Sequence, residues 1–125
     1  MTLPTVLAEL KKRPGMYLPT NTYEAAVAFL LGYDAALKGG LLWAFREWLI
    51  IELKEGNNLS WPALVEILVR RQVGVPTPES ANQAIDLLFV TVDEFLRDRN
   101  KINGARTIYA TYELWLKDQD WQEPV

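Results

Sequence analysis

The chain has 125 residues, of which 50% are hydrophobic and 23% charged, values typical of one globular domain with a real core rather than of a disordered chain. The formal net charge is -3, with 13 basic and 16 acidic residues, so the composition gives no basic footprint for nucleic acid or anionic lipid. The sequence contains neither cysteine nor histidine, which excludes disulfides and thiolate chemistry and removes the commonest general base and neutral metal ligand.

The first predicted helix covers Pro4 to Lys12, and Pro14 ends it because the residue before a proline avoids helical angles. A loop from Arg13 to Thr22 follows. Within it, Asn21-Thr22-Tyr23-Glu24 fits a capping box with Asn21 as the cap. The second helix, about Thr22 to Lys38, is apolar on nearly every side. Such a helix is normally buried by several neighbours, so we expect it to be the central element of the core.

Four more helices are predicted from apolar residues at helical spacing, separated by breaks rich in glycine, proline and asparagine. Ser60 is expected to cap the fourth helix and Thr77 the fifth. The four segments are Leu41 to Glu55, Trp61 to about Val73, Pro78 to Asn100, and Ala105 to Asp118.

Six helices with short connections predict an all-α fold, a compact bundle in a single domain over residues 1–125. No segment alternates apolar and polar residues over a convincing length, which disfavours strands. We expect the polar, acidic tail from Gln119 onward (residues 119–125) to be loose.

The N-terminal segment from Thr2 to Arg13 has its charges after the apolar residues and has no long hydrophobic region, unlike a signal peptide. No apolar run reaches the length of a membrane span. We therefore expect a cytoplasmic protein that does not contact membranes or nucleic acid.

Catalytic and metal-binding patterns were weighed against their structural explanations. Acidic groups occur on the third and fifth helices, but metal sites in bundles usually pair glutamate with histidine, which is absent here. A solvated helix face explains these carboxylates better. The sequence has no Gly-x-Ser-x-Gly elbow and no phosphate-binding glycine loop. We therefore predict a protein that is not an enzyme and uses neither metal nor cofactor.

The most informative feature is the aromatic content, with five Trp, five Tyr and four Phe. Trp43 falls off the apolar stripe of its helix and Trp121 lies in the polar tail, so both fit a core poorly. Exposed tryptophan beside carboxylates is typical of protein-recognition hot spots. The predicted partner-binding residues are Trp43, Glu47, Trp48, Asp93, Asp98 and Trp121.

Two other classes of function stay open from the sequence. The first is a small-ligand or regulatory helical bundle, with a pocket lined by Tyr17, Tyr33 and Trp48. The second is a structural homo-oligomeric module that would use apolar faces left over on the fifth and sixth helices.

The segment from Lys11 to Leu18, KKRPGMYL, resembles the Arg-Pro-Gly-Met-Tyr-Ile-Gly segment near the start of the gyrase B ATPase family. In that family the next helix carries a glutamate and an asparagine for water activation and magnesium. Here that helix, Tyr23 to Lys38, has Glu24 and Asp34 as its acids and no asparagine. The glycine-rich ATP-lid motifs are also absent. We interpret this likeness as coincidental.

A longer pattern spans about the first half of the chain: Arg13 to Leu18, Phe29 to Tyr33, Phe45 to Leu49, and Leu59 to Trp61. It is similar to small bacterial proteins, some of which look like immunity proteins of contact-dependent or polymorphic toxin systems. The resemblance implies a protein that binds and blocks a cognate toxin.

In that reading the acidic side chains Glu47, Asp93 and Asp98 steer the protein toward a basic toxin domain. Trp43 or Trp48 would then serve as the anchor of the complex.

Overall fold

The structure is a computed structural model that describes residues 3–119. Over this range it contains six α-helices, a short 3-10 turn at Pro14–Met16 and no strand. The predicted all-α bundle of about six helices is confirmed. The helices are α1 (Thr5–Lys12), α2 (Tyr23–Ala36), α3 (Phe45–Leu53), α4 (Trp61–Gln72), α5 (Ala81–Arg99) and α6 (Gly104–Lys117).

Helix α5 is the centre of the bundle, since it contacts each of the other five helices. Its apolar residues keep the helical period over its whole length, and this stripe is buried along the full helix. The buried side chains of α5 are Ala81, Ala84, Ile85, Leu88, Phe89, Thr91, Val92, Phe95 and Leu96.

The expectation that α2 would be the most enclosed helix was wrong. α2 buries Tyr23, Ala26 and Leu30, and it packs mainly against α5. Leu31, on another side of α2, is 45% exposed. The apolar composition of α2 therefore exceeds what its neighbours cover, and an apolar strip of this helix faces outward.

Two helix starts differ from the predicted ones because local hydrogen bonds decide them. Thr22, not Asn21, caps α2, since its Oγ1 accepts from the backbone N–H of Ala25 at 3.1 Å. The Asn21 side chain instead donates to the side chain of Asn82 at 2.8 Å. Helix α5 begins at Ala81 rather than Pro78.

The late start of α5 follows from a closed turn between Thr77 and Ser80. The backbone N–H of Thr77 donates to Ser80 Oγ at 2.9 Å, and the backbone N–H of Ser80 donates to Thr77 Oγ1 at 3.2 Å. Reciprocal bonds of this kind satisfy the backbone outside a helix. Ser80 then takes the N-cap position of α5.

The connection between α2 and α3 is longer than predicted, because α3 begins at Phe45 instead of Leu41. Oδ1 of Asp34, in the last turn of α2, accepts from the backbone N–H groups of Leu41 and Leu42 at 3.1 and 2.8 Å. Ala44 then has a φ of 75°, in the left-handed region. These features fold residues 37–44 into turns and keep them out of a helix.

Within residues 3–119 the aromatic contacts form three separate groups, of which the smallest is the stacked pair Tyr112 and Trp115 of α6. Phe45 lies within ring-contact distance of Trp48, Trp61 and Phe95, with centroid separations of 6.2, 5.5 and 4.9 Å. This group joins α3, α4 and α5. A second group contains Tyr17, Phe29 and Tyr33 and shares no ring contact with the first.

Among residues 3–119, no helix is long and apolar enough to cross a membrane.

Candidate functional site

Trp43 lies in the connection between α2 and α3, and its side chain is 47% exposed. The guanidinium carbon of Arg99 is 4.4 Å from the centroid of the indole ring. Nη1 of Arg99 also donates to the backbone carbonyls of Leu41 and Trp43 at 2.8 and 3.1 Å. One arginine at the end of α5 therefore holds both the ring and the backbone of the exposed tryptophan.

Arg99 is half-buried between rings, since its guanidinium carbon is also 5.2 Å from the centroid of Phe95. Burial lowers the pKa of Arg99, and the nearby Asp34 and Tyr109 act in the opposite direction. An arginine stays charged across the whole physiological range. A permanent cation thus sits at the C-terminal end of α5, where it complements the helix dipole.

Tyr109 of α6 is 42% exposed. Burial raises the pKa of Tyr109, Glu47 raises it further, and Arg99 lowers it. Since the charges of Glu47 and Arg99 both act on the Tyr109 phenol, we group these three residues with Trp43. We call Trp43, Glu47, Arg99 and Tyr109 the Trp43 patch.

Glu47 is fixed by its neighbour Arg46, whose Nη1 lies 3.2 Å from Glu47 Oε2. Arg46 in turn donates from Nε to the carbonyl of Leu59 at 2.8 Å and from Nη2 to the carbonyl of Asn57. The carboxylate at the edge of the patch is therefore braced by the loop between α3 and α4.

Trp48 was predicted as a partner-binding residue, but the structure buries it, with 7% of the side chain exposed. Its ring packs against Phe45 and Phe95, because α3 turns this face toward α5. Its Nε1 donates to Oδ2 of Asp98 at 2.8 Å. Trp48 is therefore a core residue rather than an exposed anchor.

The predicted acidic residues on α5 are engaged in contacts within the chain. Asp98 accepts from Trp48 and also pairs with Lys101 at 3.3 Å. Asp93 pairs with Arg97 at 2.7 Å and borders a groove between α1 and α5. Trp121 lies outside the described residues.

The structure bears on the two other functions considered from the sequence, the ligand-binding bundle and the homo-oligomeric module. Trp48 belongs to one aromatic group and Tyr17 and Tyr33 to another, so the predicted three-residue pocket is not assembled. Among the described residues, α5 exposes no large apolar side chain, because its stripe is used up within the bundle. Helix α6 exposes Tyr109 and Leu114.

Arg99 is the functional candidate that sequence reasoning missed. Its contacts to Trp43 and Leu41 span 56 and 58 positions of the chain, so no local pattern shows them. The only sequence signal is a basic residue in the last turn of a long helix, which has an ordinary structural explanation.

The groups in the Trp43 patch are an indole, a phenol, a guanidinium and a carboxylate bound to Arg46. They offer apolar contact and hydrogen bonding rather than an arranged nucleophile and base. Across residues 3–119 no group of three or more acidic residues is close enough to hold a metal ion. The arrangement is suited to recognition.

Comparisons with protein-family models, curated proteins and solved structures returned no match to this chain.

Proposed function

We propose that this protein is an interaction module whose Trp43 patch binds another protein, and more concretely that it is an immunity-type inhibitor of a cognate bacterial toxin. The observation that carries the proposal is the exposed indole of Trp43 stacked on Arg99, whose charge also acts on the exposed Tyr109. Tryptophan, tyrosine and arginine are the three residue types most enriched at binding hot spots.

The rigidity of the patch supports a binding role. Arg99 donates to the backbone carbonyls of Leu41 and Trp43. Asp34 accepts from the backbone N–H groups of Leu41 and Leu42. A side chain that is already ordered loses less conformational freedom on association. A large, fixed and half-exposed aromatic ring is therefore a favourable contact point.

The partner class follows from the charge and from the resemblance of the first half of the chain to immunity proteins. The formal net charge of -3 favours a basic partner over an acidic one. Glu47 supplies a carboxylate at the patch itself. We infer that a basic face of the toxin docks there and that its active site or substrate groove is covered as a result.

The experiment pairs a binding variant with a matched control. Each toxin-like domain encoded beside this gene is co-expressed with the protein, and growth rescue and co-purification identify the partner. Its Kd is then measured calorimetrically for wild type, Trp43→Ala and Met16→Ala. Met16 is an exposed apolar side chain outside the patch.

We expect Trp43→Ala to weaken the complex at least about tenfold, as hot-spot truncations do, and Met16→Ala to leave the Kd unchanged. Thermal unfolding of each free variant checks the fold. An unchanged Kd for Trp43→Ala, or a loss of binding that only follows a loss of stability, contradicts the proposal. So does the failure of every neighbouring toxin-like domain to bind.

A further inference from the structure

A groove of about 540 Å³ lies between α2 and α4 and is also lined by Val75 and Pro76. None of the residues of the Trp43 patch lines it. Its volume falls in the range of about 300–1,000 Å³ that is usual for small-ligand sites. The groove is therefore a second candidate site, separate from the one proposed for a protein partner.

The floor of the groove is apolar and partly uncovered. Leu31 of α2 is 45% exposed and Val75 is 62% exposed. Val27, Ala28 and Ala63 complete this surface. This surface is the outward apolar strip of α2, which α5 does not cover. Charged side chains surround it, and an exposed apolar patch with a polar rim is typical of a binding surface.

Tyr23 lines the groove beside Glu24 and Glu66, and it is 6% exposed. Within residues 3–119 its hydroxyl is the one buried side-chain polar atom that has no hydrogen-bond partner. Buried polar groups are nearly always paired, so an unpaired one calls for a structural or functional explanation.

The electrostatics of this end of the groove are negative. Burial raises the pKa of the Tyr23 phenol, and the charges of Glu66 and Glu24 raise it further, so the hydroxyl stays neutral. Glu66 is paired with Arg70 at 2.9 Å. For Glu24 the described part of the chain shows no ion pair within 4.0 Å. Two carboxylates against one guanidinium leave an excess negative charge.

We propose that the groove binds a small organic cation with an apolar body, such as an aryl amidine or an aralkyl amine. The apolar body lies on Leu31 and Val75. The charged nitrogen group lies between Glu24 and Glu66, and the Tyr23 side chain shifts on binding so that its hydroxyl, which is covered in the free protein, accepts from an N–H. An anion would be repelled at this end, and a purely apolar ligand would leave the hydroxyl unpaired.

Benzamidine and benzamide test the proposal, since they have nearly the same shape and differ in charge. Each is titrated into the isotopically labelled protein while backbone amide chemical shifts are recorded. We expect saturable benzamidine shifts at Ala28, Leu31 and Ala63, and benzamide binding at least tenfold weaker. Equal binding of the two compounds, or shifts located elsewhere, overturns the proposal.

Variants then identify the contacts. We expect Glu66→Gln and Glu24→Gln each to weaken benzamidine binding at least threefold, and Glu94→Gln, an exposed acid of α5 outside the groove, to leave it unchanged. Tyr23→Phe removes the unpaired hydroxyl, so it should weaken benzamidine binding without lowering the stability of the free protein. A Glu94→Gln effect as large as that of Glu66→Gln overturns the assignment.

Discussion

Nε1 of Trp48 donates a 2.8 Å hydrogen bond to Oδ2 of Asp98, which joins α3 to the end of α5. Both residues had been predicted from the sequence as contacts for a partner. They are 50 positions apart, and each taken alone looks like a surface group. In the folded chain they satisfy each other, so the proposed partner-binding surface is centred on Trp43 instead.

This bond predicts a specific loss of stability. Asp98→Ala leaves the buried indole N–H of Trp48 without an acceptor, so the free energy of unfolding should fall by about 1–3 kcal/mol. Asp98→Asn keeps a carbonyl oxygen at this position and should lose less. Urea denaturation of the two variants measures the difference. If Asp98→Ala is as stable as wild type, the hydrogen bond does not contribute to stability. A partner-binding role for Asp98 would then be favoured again.

A side chain added at Gly104 is expected to clash with the backbone. A Cβ at this position would lie 2.1 Å from the carbonyl oxygen of Asp98 and 2.5 Å from that of Arg99. Gly104→Ala must therefore shift the backbone where α5 turns into α6, with a cost of at least about 1–3 kcal/mol.

Gly32 of α2 is the matched control for Gly104. It is also helical, but apart from its chain neighbours and the backbone of its own helix no atom lies within 4 Å of the position of its Cβ. Gly32→Ala should raise the free energy of unfolding by about 0.4–1 kcal/mol through the unfolded chain. Thermal unfolding of both variants gives the comparison, and a destabilised Gly32→Ala with a neutral Gly104→Ala would refute the packing described for these helices.

The hydrogen bonds of Asp34 to the α2–α3 connection are expected to contribute to the stability of the fold. Asp34→Ala removes the acceptor for the backbone N–H groups of Leu41 and Leu42, two buried residues, and should cost about 1–3 kcal/mol. Asp86→Ala is the control, since Asp86 is an exposed partner of Lys11 at 4.0 Å. Such pairs contribute about 0–1 kcal/mol. Equal effects of the two substitutions in chemical denaturation would show that the capping by Asp34 is unimportant.

The buried phenol of Tyr23 is expected to make the stability of the protein depend on pH in the alkaline range. Burial raises the pKa of its phenol above the ordinary value of 10.0. Below that value the phenol is protonated in both states and its contribution to stability is complete. Above it the unfolded state releases its proton first, so stability is lost as the pH rises toward the folded-state pKa.

Denaturation of wild type and Tyr23→Phe at about pH 9 and about pH 11 tests this sign. We expect wild type to lose more stability than Tyr23→Phe over this interval, because phenylalanine has no proton to release. Parallel losses in the two proteins would mean that Tyr23 ionises equally in the folded and unfolded states.

The sequence was sufficient for the fold class, because long apolar stripes at helical spacing and breaks such as Gly56-Asn57-Asn58 mark the helices. It was not sufficient for helix starts that depend on side chains. The Asp34 bonds that delay α3 reach seven and eight positions along the chain, beyond the range of capping patterns. The apolar surface of α2 suggested a central helix, yet the neighbours cover only part of it.

The same distinction holds for the candidate site. Trp43 could be predicted as exposed because it falls off the apolar stripe of its segment, whereas Trp48 could not be recognised as buried from its spacing alone. Arg99 reaches Trp43 across 56 positions, so its part in the site depends on how α5 is oriented within the bundle. Spacing reports which side of a helix is apolar, and packing decides which polar groups meet.

The position of α5 has a consequence for how the protein unfolds. Since α5 contacts every other helix, removal of α5 would take away part of the native packing of all five. The molecule should therefore open as one cooperative unit, with the slowest amide hydrogen exchange in the middle of α5, around Leu88 to Val92. Cleavage by a protease within this helix would then abolish the Trp43 patch and the α2–α4 groove together, although they lie on different faces.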